Sequence, residues 1–258
     1  MIYVKNRVIF GKYCYSAATV QQPISKPFLK IACSSCNLRE LCLPVNLSAS
    51  EVELVENITQ QKLGYRRGEY LYRSGAKFQS LYAIRTGFFK TQVLHEDGRE
   101  QVTGFQMAGE IIGLDAISTD FHTCDAIALE DSEICEMPFH SLEELSRDIP
   151  SLQHHLHKIM SREIVRDQGI MLLLGSMRAE ERLSAFLLNL SQRYAARGYS
   201  PNSFQLRMTR QEIGSYLGLK LETVSRTLSV LQQRGLIQIH NKSLDLLDLA
   251  GLKSSLKT

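Results

Sequence analysis

Three cysteines fall within ten residues of this sequence, in the run Cys33-Ser-Ser-Cys36-Asn-Leu-Arg-Glu-Leu-Cys42, a C-x2-C-x5-C group. A loop of this length can turn three sulfurs toward one centre, and soft thiolates select zinc, copper(I) or iron–sulfur clusters. A cubane cluster takes four cysteine ligands, so a fourth thiol must come from elsewhere. Cys14 is the local candidate; Cys124 and Cys135 lie in a later, strand-rich stretch. Spacing alone leaves zinc and iron–sulfur both open, along with incidental buried cysteines. Residues 1–20 carry no continuous apolar core of the kind an export signal needs. The expectation is a cytoplasmic protein, where thiols stay reduced and a disulfide framework is disfavoured.

The second constellation lies near the other end. Thr209-Arg210-Gln211-Glu212 reads as a capping box, in which hydroxyl and carboxylate satisfy the first exposed amides of a helix reciprocally. Ile213 and Leu217 supply its apolar face, Gly214 leaves room for a crossing helix, and Gly218 permits a turn. A second helix is predicted over Leu221–Arg234 and ends at Gly235. Val224, Leu228 and Leu231 share one arc of it, with Glu222, Ser225, Arg226 and Ser229 opposite. That outer face suits base edges: Arg can make two hydrogen bonds to guanine, Glu accepts from cytosine, and Ser adapts. Leu236–His240 and Ser243–Leu247 then read as a hairpin, or wing, around Asn241-Lys242. Charge agrees, since residues 178–242 hold ten Lys/Arg against four Asp/Glu in a chain whose net charge is only +3. Basic charge gathered at one end points to a nucleic-acid partner.

Between these constellations the texture changes twice. A short helix is predicted over Ala49–Asn57. Strand-like pieces follow at Tyr70–Tyr72, Ser80–Ile84, Phe88–Leu94, Gln101–Phe105, Cys124–Leu129 and Ser132–Met137, with glycines beside them. Many short strands with glycine turns read as a β barrel or sandwich. A single long helix is predicted from about Pro150 to Met177, with Pro150 in its first turn. The resulting division is 1–50, 51–148, 149–177 and 178–258. At 258 residues, 44% hydrophobic and 22% charged, the chain is an ordinary globular protein without a membrane span. It contains no glycine-rich phosphate loop, no His-Glu-x-x-His run and no convincing nucleophile–base set, so an enzyme is not expected. His154, His155 and His157 point to different sides of a helix and read as solvated surface.

The segments Cys33–Cys42, Leu81–Arg85, Gln101–Phe105, Cys135–Phe139, Ala179–Leu183 and Glu222–Arg226 together resemble the FNR (fumarate and nitrate reduction regulator) branch of the cyclic-AMP receptor protein superfamily. The resemblance covers nearly the whole chain. It implies an α+β architecture: a Cys-rich N-terminal segment, a β-roll sensor domain like those that bind cyclic nucleotides, a long dimerisation helix and a C-terminal winged helix-turn-helix. It also implies an oxygen-sensing global regulator, activating or repressing genes of anaerobic metabolism, with one [4Fe–4S] cluster per subunit on Cys33, Cys36, Cys42 and Cys135. Cys135 is chosen by its Cys-Glu-Met-Pro-Phe context; Cys14 and Cys124 become bystanders. In the family, oxygen converts the cluster to [2Fe–2S] and the dimer dissociates. A cyclic-AMP response is not expected, because His122-Thr123 stand where nucleotide binders resemble Arg-Ser, although Gly109-Glu110 persists. Palindromic sites like TTGAT-N4-ATCAA are implied, with Arg226 on guanine, Glu222 on its partner cytosine and Ser225 beside a thymine. Thr209 and Arg210 join these residues as DNA contacts. The turn containing Asp97, Gly98 and Arg99 resembles a loop that touches RNA polymerase. A zinc-stabilised, non-redox DNA-binding regulator is the alternative.

Met160, Ile164, Asp167, Met171 and Leu174 repeat at spacings of 4, 3, 4 and 3, the pattern of a coiled-coil seam. Asp167, matched by an Asp in the family, would meet its own copy near the two-fold axis, where carboxylates repel. That repulsion is expected to keep the cluster-free chain monomeric.

Overall fold

The computed structural model describes residues 33–38, 41–42, 46–59, 62–95 and 98–256; Cys14 and Asp97 lie outside them. A 3-10 turn at Cys33–Ser35 comes first, then α1 (Ala49–Ile58), β1 (Lys62–Tyr65), β2 (Tyr70–Tyr72), β3 (Ser80–Thr86), β4 (Phe88–Leu94) and β5 (Glu100–Met107). β6 (Ile111–Ile112), β7 (Asp125–Ala128) and β8 (Ser132–Pro138) complete the strand-rich stretch. The helices α2 (Phe139–Asp148), α3 (Pro150–Ser176) and α4 (Ala179–Ala195) follow. β9 (Ser203–Gln205), α5 (Arg210–Leu217), α6 (Leu221–Gln233), β10 (Ile237–His240), β11 (Ser243–Leu246) and α7 (Leu249–Ser254) form the remainder. Among the described residues no helix is long and apolar enough to cross a membrane.

Two four-stranded antiparallel sheets, ordered β1-β8-β3-β6 and β2-β7-β4-β5, make the roll. Alternate side chains on a strand point to opposite faces, and each sheet here is covered on both. Ile84, Ile112 and Ile134 from one sheet meet Tyr72, Phe89, Ala126 and Ala128 from the other in the interior. On the outer face of the first sheet, Leu81, Ala83 and Met137 pack against Val52 and Val55 of α1, Leu142 of α2 and Leu152, Leu156 and Ile159 of α3. On the outer face of the second, Phe88, Val102, Phe105 and Met107 share a core with α4, α5 and α6. These two outer faces position the two sets of chemically interesting residues.

At the C-terminal end, a glycine is required twice. A Cβ on Gly214 would lie 2.6 Å from the Leu219 carbonyl oxygen, so only glycine lets the α5–α6 turn close. Gly218 ends α5 at φ 62°, a left-handed conformation that costs glycine little. The wing is a hairpin of β10 and β11 turning at Asn241-Lys242, with β9 added beside β11 as a third strand.

Candidate metal centre and nucleic-acid interface

Cys33 opens the 3-10 turn, and the Cys36 N–H donates to the Cys33 carbonyl at 3.2 Å. The Leu38 carbonyl accepts from both Leu41 and Cys42, each at 2.9 Å, which draws Cys42 back toward the turn. The Cys33 N–H in turn donates to Glu56 Oε2 of α1 at 3.1 Å. Cys135 comes from β8, where it pairs with Ala83 on one side and Lys62 on the other. Its neighbours along the strand, Ile134 and Met137, point into the roll and out of it respectively, and Cys135 shares the outward side with Met137. As a result Cys33, Cys36, Cys42 and Cys135 all line one small cavity, whose remaining wall is largely apolar, with Val55, Ala83, Ile84 and Met137. Arg85 also borders it and pairs with Glu133 at 3.2 Å. The thiols ring a space; among the described residues no three His, Cys, Asp or Glu side chains converge as a single ion would require.

Cys124 sits elsewhere. It is 7% exposed, packed in the roll interior, with its Sγ 3.6 Å from Asp115 Oδ2. Burial, followed by the nearby Asp115 carboxylate, pushes the thiol's pKa far up, so it stays protonated.

His155 corrects an expectation drawn from the sequence. His154 and His157 are exposed, but His155 is 5% exposed on the α3 face turned toward α1 and the cysteine loop. Its imidazole hydrogen-bonds the Cys42 backbone, while Nε2 is buried with no partner among the described residues. Nδ1 therefore makes the bond. Burial, then the charge of Arg162, lowers the ring's pKa. Adjacent histidines do scatter around a helix; one of the three directions here leads into the core.

The helix-turn-helix is built from the residues its sequence pattern singles out. Thr209 Oγ1 accepts from the Glu212 N–H at 3.2 Å, and Glu212 Oε2 accepts from the Thr209 N–H at 2.7 Å. Lys90 of β4 reaches the other Glu212 oxygen at 2.9 Å. Burial alone would raise the Glu212 pKa, but the Thr209 N–H and Lys90 outweigh it and the carboxylate is held charged. Val224, Leu228 and Leu231 of α6 are buried, joined by Thr227, while Glu222, Arg226 and Ser229 face solvent. Arg210 crosses from α5 and donates to Ser225 Oγ at 3.3 Å, so it stands beside the outer face of α6.

Two family profiles match the chain: the cyclic nucleotide-binding domain over residues 62–148 and the Crp-like helix-turn-helix domain over residues 181–255. The transcriptional regulatory protein btr of Bordetella pertussis is 47% identical over 221 residues, 86% of this chain and 91% of that protein. The fumarate nitrate reduction regulatory protein of Klebsiella oxytoca is 45% identical over 212 residues, 82% of this chain and 85% of its own. The solved structure of FixK2 from Bradyrhizobium japonicum superposes with a TM-score of 0.70 at 30% identity, covering 75% of this chain and 96% of that one. The chain belongs to the FNR branch of the CRP/FNR family. It is therefore a DNA-binding transcription regulator, not an enzyme.

The CRP/FNR roll of this chain has its interior closed by its own side chains. The Asp115 carboxylate accepts from Tyr72 OH at 3.2 Å and from the Thr123 N–H at 2.8 Å, with His122 Nδ1 at 3.4 Å. The His122 ring is buried and stacks on Tyr72 with centroids 3.6 Å apart. Burial alone would raise the Asp115 pKa; the donors around it prevail and lower it. Glu110 points the other way, to α4. Its Oε2 is 2.6 Å from Arg193 Nη2 and its Oε1 2.6 Å from Arg197 Nη2. Sequence reading missed this pairing, because the partners are 83 and 87 residues away and neither Arg is marked by any local motif.

Along α3 of this FNR-branch chain, Ile164 and Met171 are 58% and 65% exposed, and Asp167 is exposed between them. Val165 and Leu172, one position on from Ile164 and Met171, are 63% and 64% exposed and widen the apolar stripe. Met160 packs instead into the core beneath α1, and Leu174 into the core around α4. At the β4–β5 turn, Gly98 adopts φ 81° and its N–H donates to the His95 carbonyl, while the Arg99 carbonyl accepts from the His95 N–H.

Proposed function

We propose that this chain is an oxygen-responsive transcription regulator of anaerobic metabolism, acting in the cytoplasm. In this reading Cys33, Cys36, Cys42 and Cys135 hold a [4Fe–4S] cluster, one per subunit, and its state governs a homodimer. The observation that carries the reading is the single cavity shared by three loop thiols and one strand thiol, with apolar walls. Four soft donors and a dry wall suit such a cluster, and a cavity gives a many-atom group more room than a lone ion needs. When bound, the cluster supplies an iron–sulfide centre that oxygen can attack.

The division of labour follows the chain. Residues 1–50 bring three ligands, and 51–148 bring the fourth together with the wall behind it. Residues 149–177 pair two subunits, and 178–258 bind DNA. On α3 the exposed stripe of Ile164, Val165, Met171 and Leu172 supports pairing, since isolated monomers seldom leave such apolar runs in water. Asp167 lies within the same stretch as the destabilising element. Its replacement by Ala is expected to give a dimer that persists in air. The Glu110 carboxylate and the His122 ring are both committed to partners within the chain, which supports a regulator that takes no cyclic AMP.

Pairing matters because one recognition helix gives few contacts. Two of them, about 34–36 Å apart, read both halves of a palindrome in successive major grooves. Arg226 takes the guanine of each TTGAT half-site, Glu222 the partner cytosine and Ser225 the neighbouring thymine; Thr209 and Arg210 contact the duplex beside them. RNA polymerase is approached through the turn holding Asp97, Gly98 and Arg99. Gel-shift competition between TTGAT-N4-ATCAA and variants at the Glu222 base pair tests the reading. Glu222→Ala should lose about 1–3 kcal/mol of discrimination there, and unchanged specificity would remove the assignment.

A further inference from the structure

The cysteine loop is fastened at its two ends to two different helices. At the start, Glu56 of α1 accepts from the Cys33 N–H. At the end, the His155 ring of α3 hydrogen-bonds the Cys42 backbone. These ties are not equivalent. α1 stays within the core it shares with the roll, α2 and the start of α3, whereas α3 runs on from His155 to the exposed apolar stripe that begins at Ile164, about 13.5 Å farther along the axis at 1.5 Å per residue.

His155 is also placed at a cost. The ring is 5% exposed among Leu152, Leu156 and Ile159, and Nε2 finds no partner among the described residues. A buried polar atom left unmatched calls for a reason, and an apolar residue would fill this position without one. What the imidazole adds is a rigid, well-packed donor aimed at the backbone of a cysteine. Because it meets the backbone and not the sulfur, it can fix the loop without competing for a ligand position.

We propose that His155 is the strut through which the setting of the cysteine loop is passed to the pairing surface of α3. This rests on the reading above, in which the four cysteines hold a cluster and α3 pairs two subunits. When the loop is drawn around its ligand, Cys42 pulls on His155 and seats the first turns of α3 against α1 and the roll, which orients Ile164 onward. His155 is a positioning residue; it is not a ligand. Removing its donor should separate two properties that otherwise change together: the chain keeps its iron but no longer pairs efficiently.

The test uses the full chain, reconstituted without oxygen, as wild type, His155→Leu and His155→Gln. Iron and sulfide per chain, visible absorbance and sedimentation mass over a concentration series are read on each. Leu fills the space without a donor, and Gln returns a donor of similar reach. His155→Leu is expected to retain iron and sulfide close to wild type while its dimer dissociates at least ten-fold more readily, and His155→Gln is expected to recover most of that loss. Equal dimer strength in all three proteins would overturn the strut. So would a Gln variant as weak as Leu, because the ring would then matter only for its shape. Loss of iron from His155→Leu would overturn it too, since His155 would then build the site. Wild-type protein that takes up no iron would refute the reading beneath it, an outcome distinct from each of these.

Discussion

Cys124 and Cys135 lie on opposite sides of the wall of one β-roll, and the difference decides what each can do. Cys135 faces outward from β8 into a cavity that it shares with three loop thiols. Cys124 faces inward, with a thiol that burial and Asp115 keep protonated. In the interior, Tyr72, His122 and Thr123 all turn to Asp115. On the outer side, by contrast, thiols surround a space. One fold thus carries a closed side, filled by its own side chains, and an open side, where four thiols line a cavity.

A pair of single substitutions should separate the two cysteines by the largest effect. Cys135→Ala should abolish retention of iron and sulfide after anaerobic reconstitution and, with it, anaerobic operator binding. Cys124→Ala should leave both at wild-type levels. Equal loss from both variants, measured by metal analysis and gel shift, would erase the distinction between the two sides. Next in size is Glu110→Ala, which strips the carboxylate from Arg193 and Arg197 where the roll meets α4. Breaking a largely buried ion pair costs about 3–5 kcal/mol, so urea unfolding should shift strongly, with iron content unchanged.

Asp115→Asn probes the closed interior with a smaller expected effect. It weakens bonds to Tyr72, His122, Thr123 and Cys124 and should cost about 1–3 kcal/mol, again without loss of iron. The sign with pH follows from the lowered pKa of Asp115. Its folded value lies below the unfolded one, so its contribution is complete above about pH 4 and disappears as pH falls through the folded value. The Asn variant should therefore lose its deficit relative to wild type in acid; a deficit that grows there would contradict the network. Smallest is the stability change in Cys124→Ala, about 1 kcal/mol for removing a small buried sulfur, readable as a modest drop in melting temperature.

Where the sequence was legible, the signal was local. The capping box over Thr209–Glu212, the two glycines of the turn and the apolar arc of α6 lie within about two dozen residues, and each has a backbone reason for its residue type. The long helix starts at Pro150 as expected and ends one residue before Met177. β6 has only two residues, too few to show alternation, and α2 begins directly after Pro138 of β8 with no polar cap to announce it. β9 is a three-residue strand defined by its pairing with β11. What remained hidden at the sites was long-range. The turn of His155 into the core and the reach of Arg193 and Arg197 to Glu110 depend on how separate elements meet. The outer seam was only partly visible, since Val165 and Leu172 stand off the 4-3 spacing and gain meaning once both are seen exposed beside Ile164 and Met171.

In the proposed function, a group held by four thiols on the open side of the roll determines whether two chains associate. Absorbance, iron and sulfide content, and molar mass should be recorded together on anaerobically purified protein, before and after admitting air. A coloured, iron- and sulfide-bearing dimer that bleaches and falls to monomer mass is expected. Protein without iron and sulfide, or a mass that stays the same after the colour is lost, would contradict it.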